Sequence, residues 1–358
     1  MTAVDGKEEG PALIETRHPA ASGHLSAPLL EARGLSKRFA KRLDIAGRLA
    51  ARLGADLAEE VVHAVDGVDL VIPEREVVGL VGESGCGKST LGRMVAGILS
   101  PTEGRILYRG RDIAEMPAAD RAKATLAIQM IFQDPFASLN PRMRVADIIG
   151  EAPLFHGIVS RADLPAYVDK VLDQCGLDTS LKRRFPHQFS GGQRQRIGIA
   201  RALAVNPEFL VCDEAIAALD VSIQAQVLNL FMDLREELDL TYLFISHDLS
   251  VVEHISDRVV IMYLGRAVES ATTEELFESP NHPYTQALLA EIPRIEERKK
   301  HFVTIKGEIP SPLAPPSGCH FHPRCPHAFA RCREEAPVLK EIAPGRNSAC
   351  HLNDQSSI

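Results

Sequence analysis

Short apolar runs rich in β-branched residues recur along most of the chain, and stretches with helical spacing separate several of them. PLLEARGLSKRF opens the ordered part with a short strand. VVHAVDGVDLVIP, EVVGLVG, ATLAIQMIFQ, EFLVCDE, TYLFISHD and RVVIMYLG also read as strands. KSTLGRMVAGIL and IQAQVLNLFMDLREEL read as helices. This alternation predicts an α/β fold with a mostly parallel sheet. Residues 136–204 are more helical, polar and proline-interrupted. They read as an inserted helical subdomain that divides an α/β core of residues 28–135 and 205–280. After about residue 280 proline density rises and the pattern breaks, so residues 281–358 read as a C-terminal extension. Residues 1–27 lack periodicity and read as a disordered tail. In residues 41–53, Leu43, Ala46, Leu49, Ala50 and Leu53 share one helical stripe, which packs on its own domain or meets a partner or membrane.

Composition narrows the classes. The chain has 358 residues, 45% hydrophobic and 25% charged, with a net charge of −8. An acidic chain argues against broad nucleic-acid binding, so no nucleic-acid partner is expected. No apolar run is long enough to span a bilayer, and the acidic N-terminus has no apolar secretory core. The expected location is the cytoplasm, where the seven cysteines read as thiols or metal ligands rather than disulfides.

Residues 82–90, GESGCGKST, follow an apolar strand and precede a helix, the context a phosphate loop requires. Gly82, Gly85 and Gly87 let the backbone curl around phosphate, and successive N–H groups face the anion. Lys88 supplies a point charge to the β- and γ-phosphates, and the Ser89 hydroxyl ligates Mg²⁺. Glu83, Ser84, Cys86 and Thr90 complete the nucleotide-binding stretch, with Cys86 a small filler.

FLVCDE places Asp213 at a strand end, suited to Mg²⁺ coordination, with Glu214 placed to orient or deprotonate the attacking water. His247, in ISHD, ends another strand, where an imidazole reaches the γ-phosphate and water; a lone histidine there is more often structural. Gln133, in IFQDP, stands at a strand end before the helical insertion, within reach of the metal. Ser190, Gly191, Gly192 and Gln193 open a strongly helical run, a second anion-binding helix start in one chain. Dimerisation resolves that duplication: each segment closes over the γ-phosphate held by the other subunit.

In this order and spacing, the phosphate loop, Gln133, SGGQ, VCDE and His247 closely resemble an ABC-transporter ATPase subunit, over about residues 29–358. LVGESGCGKSTLGR, IFQDPFASLNPR, SGGQRQRI, LDVSIQAQVLNL, YLGRAVE and HPYTQALL are similar to the dipeptide/oligopeptide/nickel importer ATPases, most of all the F-type subunit of a heterodimeric pair. The resemblance implies a P-loop NTPase with an antiparallel β edge. It also implies that Phe39 stacks on adenine, although by position alone Phe39 equally suits a core, and that Leu219 and Asp220 form the D-loop. The expected activity is ATP hydrolysis that energises import of di- or oligopeptides at the cytoplasmic face of the bacterial inner membrane. Nickel chelates, glutathione and opines are alternative cargoes, and a soluble ABC protein outside transport is the alternative class. Implied partners are a second ATPase subunit (heterodimer, or homodimer), two transmembrane permease subunits and an extracytoplasmic substrate-binding protein. One departure stands out. Where the family usually has Pro, Thr or Val, and Ser before the D-loop, this chain has Ala215, Ile216 and Ala217. Hydrolysis should survive, with weaker communication between the two sites.

GCHFHPRCPHAFARCR carries three cysteines, and the spacing is Cys319-x5-Cys325-x6-Cys332-x17-Cys350. Four thiolates suit zinc or a [4Fe–4S] cluster, and C-x2-C pairs are absent. The resemblance implies the cluster. Zinc with mixed Cys/His ligation (His320, His322, His327, His351) and unmetallated thiols remain open.

Overall fold

A computed structural model of the chain describes residues 28–41, 60–291 and 307–357. The tail expected at 1–27 lies outside them, and so does the stripe expected over 41–53, except Lys41, which ends a strand.

Two sheets organise the fold. The first is antiparallel, in the order β2 (Glu60–Pro73), β1 (Pro28–Lys41), β4 (Glu103–Tyr108), β5 (Arg111–Asp112). The second runs β11 (Lys340–Ala343), β12 (Arg346–Ser348), β10 (Arg266–Thr272), β9 (Arg258–Tyr263), β3 (Val77–Val81), β8 (Thr241–Ser246), β7 (Phe209–Asp213), β6 (Ile128–Ile131). From β9 to β6 its pairs are parallel; from β9 to β11 they are antiparallel. Every residue of β3, β7 and β8 is buried, as strands covered on both faces must be.

The helices are α1 (Lys88–Val95), α2 (Ala118–Ala127), α3 (Val145–Phe155), α4 (Leu164–Gln174), α5 (Gly191–Leu203), α6 (Val221–Leu238), α7 (Leu249–Ile255), α8 (Thr273–Glu278), α9 (Pro283–Ala290) and α10 (Ala330–Glu334). On one face of the second sheet, Val78 and Leu80 meet Leu91 and Met94 of α1 and the inner residues of the antiparallel sheet, including Leu35 and Ile72. On the other, Leu210 and Phe244 meet Phe231 of α6, and the same core continues through Ile197 and Leu172 into the helical insertion. A third core joins Ile261 and Val268 to Tyr284 and Leu288 of α9 and to Phe321.

Two local expectations change. ATLAIQMIFQ divides, its first residues ending α2 and only Ile128–Ile131 forming β6. Ala124 packs inward from α2, so one apolar run serves two elements. Beyond residue 280, where no pattern was readable, β12 pairs with β10 through Glu269↔Ser348 and Ser270↔Asn347 and extends the main sheet. These strands are too short and polar to announce themselves, and their neighbour decides them.

Candidate functional site

The C-terminal ends of β3, β8 and β7 lie level, with Val81 opposite Ser246 and Ile245 opposite Asp213. In such a sheet that edge is where ligands bind. The phosphate loop leaves β3 there, His247 follows β8, and Glu214 follows β7.

Glycine is required in the loop by close approach. At Gly87 (φ 105°) a Cβ would lie 2.1 Å from the Ala64 carbonyl oxygen, and at Gly82 one would lie 2.2 Å from that of Met262. Lys88 is 4% exposed, and its Nζ donates to Gly82 O (2.7 Å) and Glu83 O (3.0 Å), which curls the loop around the ammonium. Cys86 is buried against Lys88, and burial pushes its thiol above its ordinary value. Ser84 and Gly85 are exposed at the tip; Thr90 is half-buried in α1.

Ser89 Oγ donates to Asp213 Oδ1 at 2.6 Å. Asp213 is 2% exposed, and burial raises its carboxyl above the usual carboxylate range. A buried carboxylate beside a hydroxyl is an oxygen-donor pair that a hard divalent cation would relieve. Glu214 is held with φ 47°, in the left-handed region, by donation from its N–H to Ile245 O (3.0 Å). Its carboxylate accepts from Gln133 Nε2 (2.7 Å) and lies 3.5 Å from His247 Nδ1. The structure thus brings Gln133, Glu214 and His247 into one chain of polar contacts. His247, 58% exposed, is no part of the core.

Phe39 is exposed on β1 rather than packed in a core, and Lys37 Nζ lies over one face of its ring, 5.4 Å from the centre. Ser190 caps α5. Its Oγ accepts from Gln193 N, and Gln193 Oε1 accepts from Ser190 N. Gly192 approaches α6 so closely that a Cβ would lie 2.4 Å from Ile223 Cγ2, and a Cβ on Gly191 would meet Leu219 at 3.7 Å. Leu219 therefore sits against this helix start in the same chain, and Asp220 next to it caps α6. Ala215 and Ile216 are buried, and Ala217 is exposed.

Two contacts escaped the sequence. The Arg194 guanidinium stacks 3.8 Å above the ring of Phe136, tying α5 to the segment after Gln133. The Glu83 carboxylate is held by Arg324 from the cysteine segment. Neither contact has a periodic or motif signal.

Cys319, Cys325, Cys332 and Cys350 line one cavity of about 20 Å³, closed by Phe321, Pro283 and Leu352. Burial raises the thiols of Cys319 (to about 11), Cys325 and Cys350. His320 and His351 direct ring nitrogens at the carbonyls of Leu264 (3.2 Å) and Glu335 (2.9 Å), and His327 is exposed. Among the described residues no group of three or more His, Cys, Asp or Glu is arranged to hold a metal ion. The donor set suits a four-thiolate centre, whereas a cavity about the size of one water leaves no room for a cubane unless the segment widens.

Residues 65–217 match the ABC transporter family, and residues 268–332 match the family described as the oligopeptide/dipeptide transporter C-terminal region. The chain is 53% identical over 295 residues to the oligopeptide transport ATP-binding protein AppF of Bacillus subtilis (strain 168), spanning 81% of this chain and 90% of that protein. It is 44% identical over 326 residues to the dipeptide transport ATP-binding protein DppF of Haemophilus influenzae, spanning 91% and 97%. Among solved structures, cbiO1 of Clostridium perfringens, part of the transporter complex cbiONQ, superposes with a TM-score of 0.56 at 27% identity, covering 71% of this chain and 92% of that one. The ATP-binding cassette MJ0796, a dimer in a post-hydrolysis state with ADP and Pi, superposes with a TM-score of 0.58 at 25% identity, covering 68% and 98%.

Proposed function

The chain belongs to the ATP-binding subunits of the oligopeptide/dipeptide ABC transporters, and from that membership we infer that it hydrolyses ATP to energise peptide import. The observation that carries the chemistry is the meeting of Ser89 with Asp213, and of Gln133 and His247 with Glu214, at one edge of a parallel sheet.

In this reading the loop N–H groups and Lys88 hold the β- and γ-phosphates. Ser89, Asp213 and Gln133 supply oxygen donors for Mg²⁺, which when bound neutralises charge on the phosphates. Glu214 accepts the proton of the attacking water. Gln133 and His247, both in contact with Glu214, orient it and the γ-phosphate. Phe39 offers its exposed face to adenine. Ser190, Gly191, Gly192 and Gln193 close over the nucleotide of a second subunit, with Leu219 and Asp220 crossing the same interface. Dimer formation by the MJ0796 cassette supports this part. Among the described residues no helix is long and apolar enough to cross a membrane. From the family membership, we place the chain at the inner face of the cell membrane, beside two permease subunits, a second ATPase subunit (different, or a second copy) and an external binding protein.

The test is reconstitution with the adjacent-gene permease, ATPase and binding-protein subunits in vesicles. Mg²⁺-dependent ATPase activity that rises with a captured di- or oligopeptide is expected. Stimulation by a nickel chelate, glutathione or an opine instead would move the cargo assignment, and no Mg²⁺-dependent hydrolysis would end the reading.

For the four cysteines we propose a structural metal centre, an iron–sulfur cluster as the resemblance implies, or one zinc ion. That all four cysteines line one cavity supports it, and the segment must widen for the cavity to admit a cluster. Anaerobic purification followed by iron, sulfide and zinc analysis decides between them, and metal-free protein with four titratable thiols would refute both.

A further inference from the structure

Glu83 places a carboxylate inside a loop built to receive a triphosphate, an arrangement that by itself opposes anion binding. The fold compensates from a distance. Arg324 Nη1 donates to Glu83 Oε2 at 2.7 Å and Nη2 to Oε1 at 2.9 Å, a two-pronged pair between residues 241 apart in sequence. The pair is sheltered, with side-chain exposures of 5% for Arg324 and 19% for Glu83.

The backbone of Glu83 is fixed as well. Tyr284 OH accepts from Glu83 N at 3.0 Å, and Lys88 Nζ donates to Glu83 O at 3.0 Å. Arg324 also donates to Tyr263 OH at 3.4 Å. Beneath the pair, Phe321 packs 5.3 Å from both Tyr263 and Tyr284, which are themselves 4.7 Å apart. Arg324 and Phe321 both lie between Cys319 and Cys325, in a segment pinned by Cys319 N donating to Cys332 O (2.8 Å) and Arg324 N to Phe321 O (3.0 Å). The position of the guanidinium therefore depends on how that segment is seated.

We propose that Arg324 is a positioning residue for the phosphate loop, and that through Glu83 it couples nucleotide affinity to the seating of the four-cysteine segment. The proposal rests on the nucleotide-binding reading of the loop. It predicts a direction: loss of Arg324 leaves the Glu83 charge facing the triphosphate and releases one clamp on the loop. By reciprocity, bound nucleotide steadies the segment.

The test uses the full-length chain with a fluorescent ATP analogue and Mg²⁺, with circular dichroism melts in parallel. Arg324→Gln is expected to weaken binding about tenfold, about 1.4 kcal/mol, and Arg324→Lys by less, since a point charge replaces the fork. Adding Glu83→Gln to Arg324→Gln should recover most of the loss, the non-additivity that a direct pair requires. In wild type, MgATP should slow amide hydrogen exchange over residues 318–333, and in Arg324→Gln and Glu83→Gln it should not. If Arg324→Gln does not fold, Arg324→Lys and Glu83→Gln carry the same comparisons. Binding by Arg324→Gln within about twofold of wild type, additive losses in the double variant, or exchange in the wild type indifferent to MgATP would each overturn the proposal while leaving the loop's function standing. A wild-type chain that binds no nucleotide overturns both.

Discussion

Glu214 holds three roles in tension: a left-handed backbone, a carboxylate shared between Gln133 and His247, and the base in the reading above. Glu214→Gln keeps the shape and removes the proton acceptor. Turnover should fall by about two to three orders of magnitude while nucleotide binding persists, as general-base removal does; a single-turnover assay on the reconstituted complex measures it. Asp213 makes a different prediction. Burial raises its carboxyl pKa, so the native state holds a proton there more tightly than the unfolded chain does. Its contribution to stability is full below the ordinary carboxylate range and is lost as pH rises through the raised native value. At neutral pH the buried charge is a burden. Asp213→Asn, still able to accept from Ser89, should melt higher than wild type at pH 7, converge with it near pH 4, and lose Mg²⁺-dependent hydrolysis. Equal melting at pH 7 would show that the charge carries no such burden.

At the scale of elements, local chemistry was readable where a motif sits on the element that presents it. Lys88 and Ser89 open α1, Asp213 ends β7, and Ser190 caps α5, so strand-turn-helix order alone placed them. What escaped was decided by neighbours: the split of ATLAIQMIFQ, the strands β11 and β12, and the stacking of Arg194 on Phe136. The start of α9 shows how much a neighbour decides. His282 is 1% exposed, its Nδ1 accepts from Tyr284 N at 3.0 Å, and burial lowers its pKa to about 4. An unfolded histidine takes up its proton near pH 6.5. Between these values the unfolded chain binds the extra proton, so stability falls as pH drops from about 6.5 toward 4, by up to about 3 kcal/mol. Urea unfolding at pH 7.5 and pH 5 should show about 2 kcal/mol of that loss. In His282→Asn, which retains a capping acceptor without the titration, this part of the pH dependence should be absent.

At the scale of the whole molecule, the question is whether the ATPase core stands without its C-terminal extension. The sequence pattern breaks near residue 280, and the catalytic motifs all precede it, so a chain ending there keeps every residue assigned to the chemistry. The packing argues otherwise. Phe321 is 2% exposed, Tyr284 is fully buried, and Leu288 and Leu289 are each 8% exposed, all in one core with Val81, Ile261 and Tyr263. At roughly 2 kcal/mol for each buried side chain, these four contribute roughly 8 kcal/mol, comparable with the 5–15 kcal/mol that holds a typical domain folded. The truncation would also uncover the edge of β10 along the residues that pair with Ser348 and Asn347, an open template for aggregation. It would leave Glu269, fully buried, without Asn281, His282 and Arg346 around its carboxylate. A chain ending at residue 280 is therefore expected to be insoluble or to lose its cooperative melt. Size-exclusion chromatography and calorimetry beside the full-length protein check this; a soluble, monodisperse fragment with the wild-type melting temperature would show that the third core is dispensable. The expected loss arises because Val81, the last residue of the strand that launches the phosphate loop, packs in that same core.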